Sequence, residues 1–234
     1  MAEKNSKRLV CEDLFKTFVE KIGGRLEKFP LYLCSWSPNV LSIISEMGRE
    51  WGYYPWYEKL RGSKKLGEGG IDCTWHIERY RHTFTGKPQN VVLAFEYEDW
   101  PSEGFEKIWD EIKKLERLEE KPEFYVKTHV KMLVYCIDAY HRERTREKWR
   151  KNSSARLVKR DIKKLKRCGL KKNWLIIPFY KNPPYSEAEY DEFNEAKYKE
   201  LVFDGLEFID GTLTNKFSKN ILWRWSKRQL PCLT

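Results

Sequence analysis

The pattern of apolar and polar residues along the 234-residue chain predicts helices followed by strands. Apolar residues recur at helical spacing over 9–27, where Gly23-Gly24 predicts a helix end, and again over 40–51. The aromatic-rich stretch 53–59 predicts a strand, and a second strand is predicted over 71–80. The N-terminal third of the chain therefore predicts two helices and then two strands.

The segment 90–98, NVVLAFEYE, gives the clearest pattern of a buried strand in the chain. A helix is predicted to begin near Ser102, because apolar residues recur on one face up to Leu115, and a further strand is predicted over 130–138. A strand, a helix and a strand in this order favour parallel pairing with a right-handed crossover. The pattern is typical of an α/β protein with a central mixed sheet flanked by helices.

The C-terminal part of the chain is predicted to be a basic segment and then an extension. Residues 140–172 read as helical, with a break near Ser153 and an end at Gly169. A strand over 174–180, an acidic helix over about 186–201 and a less regular tail follow. With no repeat and no low-complexity linker, residues 1–234 are predicted to form one domain, with a core at about 39–138, a basic segment at 140–172 and an extension at 173–234.

Composition restricts the classes of protein to which the chain can belong. Hydrophobic residues make up 41% of the chain, enough for a core, and no apolar run approaches the roughly 20 residues of a membrane span. The charged N-terminus lacks the apolar stretch of a signal peptide. The six cysteines form no C-x-x-C pair, so neither a zinc site nor a disulfide framework is indicated. We therefore expect a cytoplasmic protein without a membrane partner.

Positive charge is concentrated in one segment. Residues 140–172 contain 15 Lys or Arg against three Asp or Glu, a net charge of +12, whereas the whole chain carries +10. A local positive field attracts polyanions, of which nucleic acid is the commonest. A solvated helical face and an amphipathic helix on an anionic membrane are the alternative interpretations. The candidate phosphate contacts are Arg142, Arg144, Arg146, Lys148, Arg150, Lys151, Arg156, Lys159, Arg160, Lys163 and Lys164.

Three carboxylates lie where apolar strands would not otherwise place them. Asp72 is at the start of one predicted strand, and Glu96 and Glu98 are at the end of another, where two-residue spacing puts them on the same face. Two like charges at the end of a buried strand repel each other, and a divalent cation compensates for this repulsion. Mg²⁺ suits such a site because it accepts one or two carboxylates and a substrate phosphate.

The residues Gly70-Ile71-Asp72 and 93–98, LAFEYE, together with the order helix, three strands, helix and strand, resemble the core of the PD-(D/E)XK nuclease superfamily. The resemblance covers about 39–138 and implies a restriction-endonuclease-like fold. It further implies a phosphodiesterase in which Asp72 and Glu96 bind Mg²⁺ or Mn²⁺. Glu46 on the preceding helix, or Glu50 one turn later, would complete the metal shell.

The chain departs from this family at Glu98, which occupies the position where the family usually has lysine. Glu-x-Glu occurs in some restriction enzymes of the superfamily, so the departure does not exclude activity. Lys107, Lys127 and Lys131 are candidate replacements for the missing lysine, although each can also be read as a surface residue.

The sequence therefore predicts a metal-dependent nuclease with catalytic Asp72, Glu96, Glu98 and Glu46, acting on nucleic acid, with DNA favoured over RNA. A homodimer is left open. The alternatives are a non-catalytic nucleic-acid-binding protein derived from a nuclease fold, and a protein-interaction module whose basic helix binds an acidic partner.

Overall fold

A computed structural model describes residues 9–28, 36–57, 71–77, 91–98, 104–117, 128–137, 154–182 and 197–225 of the chain. These residues form four helices and seven strands. The elements are α1 (Cys11–Lys28), α2 (Trp36–Glu50), β1 (Tyr54–Tyr57), β2 (Cys73–His76), β3 (Val91–Glu98), α3 (Phe105–Arg117), β4 (Val130–Ile137), α4 (Ser154–Leu165), β5 (Asn173–Asn182), β6 (Lys197–Ile209) and β7 (Thr212–Trp225).

All seven strands belong to one mixed sheet, in which they lie side by side in chain order. β1, β2 and β3 are antiparallel, β3, β4 and β5 are parallel, and β5, β6 and β7 are again antiparallel. Each parallel pair has a helix in its connection, α3 or α4, because a parallel strand must begin again at the same end of the sheet. The predicted α/β class and the predicted parallel pairing of β3 with β4 are confirmed.

Helices cover both faces of the sheet. α1 and α2 pack on one face, where they bury side chains such as Leu93 and Phe95. α3 and α4 pack on the other face, where they bury Ala94, Leu133 and Tyr135. Successive side chains of a strand point to opposite faces, so a strand covered on both sides is apolar at nearly every position. This arrangement explains the near-continuous apolar sequences of β3 and β4.

Two predictions about helices are wrong. α1 continues through Gly23-Gly24, because Gly23 lies against Ile221 of β7 and because Ile22 and Leu26, on either side of the glycines, are buried. Packing of this kind outweighs the roughly 1 kcal/mol that a glycine costs in a helix. Residues 197–201, predicted to end an acidic helix, instead begin β6; the remainder of that predicted helix, 186–196, lies outside the described residues.

The C-terminal tail, predicted to be irregular, forms the long strand β7. β7 pairs with β6 along nearly its whole length and places Phe217 and Ile221 against the α1 side of the core. Among the described helices, none combines the length and apolar character that crossing a membrane requires.

A partly buried polar network fixes the C-terminal end of α3 to the starts of β4 and β5. The Glu116 carboxylate lies 2.8 Å from Nζ of Lys131, and its other oxygen accepts hydrogen bonds from Trp174 Nε1 at 2.9 Å and the Lys171 backbone N–H at 3.0 Å. Lys131 is only 1% exposed. Because the charge of Lys131 has a hydrogen-bonded partner, burial of the ammonium group is tolerated.

α2 approaches β2 closely through Gly48. A Cβ atom at this position would lie 2.8 Å from Nε1 of the buried Trp75 ring, so no larger residue fits without a shift of helix or strand. By contrast, a Cβ atom at Gly24 of α1 would meet nothing within 4 Å.

Candidate active site

Two carboxylates lie side by side on adjacent strands. Cys73 of β2 pairs with Phe95 of β3, so the preceding Asp72 lies opposite Glu96 across the antiparallel pair. Oδ2 of Asp72 accepts a hydrogen bond from the Tyr97 backbone N–H at 2.8 Å, which fixes its position at the start of β2. Glu96 is 1% exposed, although a glutamate is rarely buried without a charged partner. The structure therefore brings together two of the predicted site residues.

Helix α3 adds three charged side chains to this pair. Nζ of Lys114 lies 2.9 Å from Oε2 of Glu96 and 2.7 Å from Oε2 of Glu111. Nζ of Lys107 lies 3.7 Å from Oε1 of Glu111 and 3.8 Å from Oε2 of Glu98. Residues 107, 111 and 114 are spaced by about two helical turns, so they share the face of α3 that lies against β3. The result is a cluster of Asp72, Glu96, Glu98 and Glu111 with two lysines, named here the carboxylate cluster.

The surroundings of the carboxylate cluster shift the pKa values of its members. Burial, reinforced by the charge of Asp72, raises the pKa of Glu96 to about 10, although Lys114 opposes the shift. Burial also raises the pKa of Asp72, with the hydrogen bond from Tyr97 acting in the opposite direction. Burial would lower the pKa of Lys114, but Glu96 and Glu111 together raise it above its ordinary value. Burial therefore favours the protonated form of Glu96, whereas the contact with Lys114 favours the ionised form.

The other two predicted catalytic carboxylates lie in different places. Glu98 follows Glu96 on the same face of β3, at the partly exposed end of the strand, where Nζ of Lys107 lies 3.8 Å from its carboxylate. Glu46 lies on α2, on the opposite face of the sheet, where it forms ion pairs with Lys21 at 2.8 Å and Arg25 at 3.3 Å of α1. Glu50 likewise pairs with Lys21. The structure therefore does not bring Glu46 or Glu50 to the carboxylate cluster.

Of the three lysines considered as replacements at position 98, one reaches the cluster. Lys107 contacts Glu98 and Glu111 at long distances, as described above. Lys131 is paired with Glu116 at the start of β4. Lys127 lies outside the described residues. Among the described residues, the lysine in closest contact with the carboxylates of the cluster is Lys114, which the sequence pattern did not indicate.

α4 presents a basic face to solvent on the same side of the sheet as the carboxylate cluster. Its apolar side chains pack onto the sheet, and Nζ of Lys164 lies 4.9 Å from the centroid of Phe105, the first residue of α3. The predicted phosphate contacts at 142–151 lie outside the described residues. Those on α4 are all exposed: Arg156, Lys159, Arg160, Lys163 and Lys164.

The donor atoms at the cluster fit a divalent cation held by two carboxylates. Oε1 of Glu96 is buried and accepts no hydrogen bond from a described donor group, while the Glu96 and Asp72 side chains are hydrogen-bonded to each other. Two adjacent carboxylates of this kind are suitable ligands for Mg²⁺, which takes one or two carboxylates and completes its shell with water and phosphate. Within the described ranges, no three Asp, Glu, His or Cys side chains are arranged as a ligand set. Asp72 and Glu96 are therefore the residues that would hold the ion.

Sequence reasoning missed Glu111 and Lys114. Both interrupt the apolar stripe of α3 formed by Ile108, Ile112 and Leu115, and Glu111 is buried with that stripe. A charged residue on the buried face of an amphipathic helix needs a partner across the interface. A charged residue at a position where the helical pattern requires an apolar one was therefore the feature of the sequence that could have indicated a partner for α3 across the interface.

Comparisons with protein-family models, with curated proteins and with solved structures gave no match.

Proposed function

We propose that the chain is a metal-dependent nuclease that hydrolyses phosphodiester bonds in DNA and is built on a restriction-endonuclease-like core. The observation that carries the proposal is the adjacent pair Asp72 and Glu96, buried on the face of the sheet that also bears the basic helix α4. The order α2, β1, β2, β3, α3 and β4, with β4 parallel to β3, is the order implied by the family resemblance and supports the core.

The residues of the site suit phosphodiester hydrolysis. A divalent ion bound by Asp72 and Glu96 would neutralise charge on the phosphate and lower the pKa of the attacking water. The hydrogen bond from Tyr97 holds the Asp72 carboxylate in position before substrate arrives. Lys114 lies where an ammonium group can stabilise negative charge, and it supplies the positive charge that Glu98 does not.

The basic face of α4 suits the binding of the substrate. Its exposed cations would contact backbone phosphates, which provides affinity and salt dependence without reading the base sequence. The contact of Lys164 with Phe105 joins this face to the start of α3, whose Lys107 reaches Glu98. A polyanion on α4 would therefore lie beside the carboxylate cluster.

The proposal is tested with purified protein and labelled single-stranded DNA, duplex DNA, branched DNA and RNA, with Mg²⁺, with Mn²⁺ and with EDTA. We expect metal-dependent cleavage of DNA that falls at least about 100-fold in Asp72→Asn and Glu96→Gln, with DNA binding retained. The matched control is Glu50→Gln, a carboxylate on the opposite face, which should cleave like the wild type. Cleavage that persists in both site variants would show that the site is wrongly assigned.

A second function is favoured by a specific observation: Glu98 stands in place of the family's lysine, and Lys114 already pairs with both Glu96 and Glu111. A nuclease-derived protein that only binds nucleic acid would show salt-sensitive binding through α4 with no metal-dependent turnover on any of the four substrates. The same assay, read together with calorimetric titration of Mn²⁺, distinguishes the two functions.

A further inference from the structure

The Lys114 ammonium group occupies a position between two carboxylates that a cation would otherwise bridge. It lies 2.9 Å from Glu96 and 2.7 Å from Glu111, and its side chain remains 22% exposed. The lysine therefore reaches the buried carboxylates from the solvent side. A flexible four-carbon side chain can also withdraw in that direction.

The carboxylate cluster has more acceptors than its two lysines satisfy. Lys114 is shared between Glu96 and Glu111, and the contacts of Lys107 with Glu98 and Glu111 are 3.7 Å or longer. Glu96 is almost fully buried, its Oε1 accepts no hydrogen bond from a described donor group, and its side chain is hydrogen-bonded to that of Asp72. Because two carboxyl groups form such a bond only through a shared proton, a cation that replaces this proton can bind both carboxylates.

We propose that Glu111 is a third carboxylate ligand for the divalent cation and that Lys114 is a built-in competitor, which holds the site closed until the metal displaces its ammonium group. The inference rests on the proposed function, because it concerns the same metal site. It also accounts for the absence of a three-carboxylate ligand set among the described residues: Lys114 separates Glu96 from Glu111.

Competition follows from the charges and the short distances. A divalent ion between Asp72, Glu96 and Glu111 would stand a few ångströms from Nζ of Lys114, so the two cations repel each other and share the same oxygen atoms. Metal binding must therefore break both ion pairs of Lys114. Removing the ammonium group should strengthen metal binding, whereas removing a ligand should weaken it.

The test is calorimetric titration of Mn²⁺ into the metal-free full-length protein, in the absence of nucleic acid. We expect Lys114→Met to bind Mn²⁺ at least about tenfold more tightly than the wild type, and Glu111→Gln to bind at least about tenfold more weakly. The matched control is Lys113→Met. Lys113 is the neighbouring residue of α3, and it pairs with Asp110 at 2.6 Å. The control removes the same charge at a position away from the cluster, so this variant should bind Mn²⁺ like the wild type.

Thermal unfolding with and without Mn²⁺ gives a second measurement. Lys114→Met should be less stable than the wild type without metal and should gain more in Tm when Mn²⁺ is added. If methionine at position 114 prevents folding, Lys114→Gln, which retains a hydrogen-bond donor for Glu111, takes its place in both measurements.

The outcomes separate this inference from the proposed function. Equal Mn²⁺ affinity in the wild type, Lys114→Met and Lys113→Met would overturn the competitor role. Loss of Mn²⁺ binding in Asp72→Asn and Glu96→Gln would in that case still support the nuclease site. Absence of Mn²⁺ binding in every variant would overturn both, whereas binding by Lys114→Met alone would support the competitor role and favour the non-catalytic function for the wild type.

Discussion

The buried Glu96 should make the stability of the metal-free protein depend on pH. Burial and the neighbouring Asp72 raise the pKa of Glu96 from the ordinary value of 4.5 to about 10 in the folded chain. Between these two values the folded protein keeps a proton that the unfolded chain releases. The stability linked to Glu96 is therefore fully present below about pH 4.5 and is lost progressively as the pH rises towards 10.

The size of the pH-dependent change in stability follows from the single proton that the folded and unfolded states bind differently at Glu96. A difference of one bound proton changes the free energy of unfolding by about 1.4 kcal/mol per pH unit. Because Glu96 is only 1% exposed, little of this is lost to solvent screening. From pH 5.5 to pH 8 the wild type should therefore lose about 3 kcal/mol of stability through Glu96. Glu96→Gln, whose side chain does not titrate, should lack this component.

The assay is urea unfolding in EDTA, followed by tryptophan fluorescence, at several pH values between 5.5 and 8. The quantity compared is the difference in free energy of unfolding between Glu96→Gln and the wild type, which should shift in favour of the variant as the pH rises. Glu50→Gln, with its exposed carboxylate on α2, should keep the pH dependence of the wild type. Parallel curves for Glu96→Gln and the wild type would mean that Lys114 outweighs burial and keeps Glu96 ionised.

Three further predictions concern other parts of the molecule. Glu116→Gln should lower the free energy of unfolding by about 3 kcal/mol or more, because it removes the carboxylate charge that pairs with the buried ammonium group of Lys131. Gly48→Ala should cost about 1 to 3 kcal/mol, because its Cβ would meet an indole ring at 2.8 Å, whereas Gly24→Ala should stabilise α1 by up to about 1 kcal/mol. Lys163→Ala on α4 should reduce the slope of log affinity for duplex DNA against log salt concentration by about 0.9.

Urea unfolding measures the first two effects, and fluorescence anisotropy with labelled DNA measures the third. Lys131→Met combined with Glu116→Gln should cost less than Glu116→Gln alone, since the buried charge is then absent. Equal stability of Gly48→Ala and the wild type would contradict the close approach of α2 to β2. Lys16→Ala, on the exposed side of α1, should leave the salt dependence unchanged.

The sequence predicts the central part of the fold because local and tertiary preferences agree there. β3 and β4 are apolar at nearly every position, and α3 has a regular apolar stripe, so their type and order can be predicted from the chain alone. The prediction for the C-terminal region is wrong because local and tertiary preferences disagree there. The start of β6 is highly charged, and its strand conformation depends on pairing with β5 and β7, neither of which is local.

The candidate site could be predicted only in part. Asp72 and Glu96 stand out because carboxylates are unusual in buried strands, and the register of β2 and β3 brings them together. The partners supplied by α3 depend on how that helix packs across β3, which spacing alone does not fix. The prediction that Glu46 lies at the site is wrong because a helix that precedes the sheet can pack on either face, and here α2 packs beside α1 on the opposite face.

The network around Glu116 links the candidate site to a distant part of the chain. Glu116 is two residues beyond Lys114 on the same helix, and its partner Trp174 lies 58 residues further along the sequence. A slip of α3 by one residue would rotate its side chains by about 100° and carry Glu111 and Lys114 away from Glu96. A variant at Trp174 would therefore look like an ordinary core substitution and yet is expected to change the proposed binding of a divalent cation at the site. The geometry of the candidate site therefore depends on the residues at the start of β5 as well as on the carboxylates of the site itself.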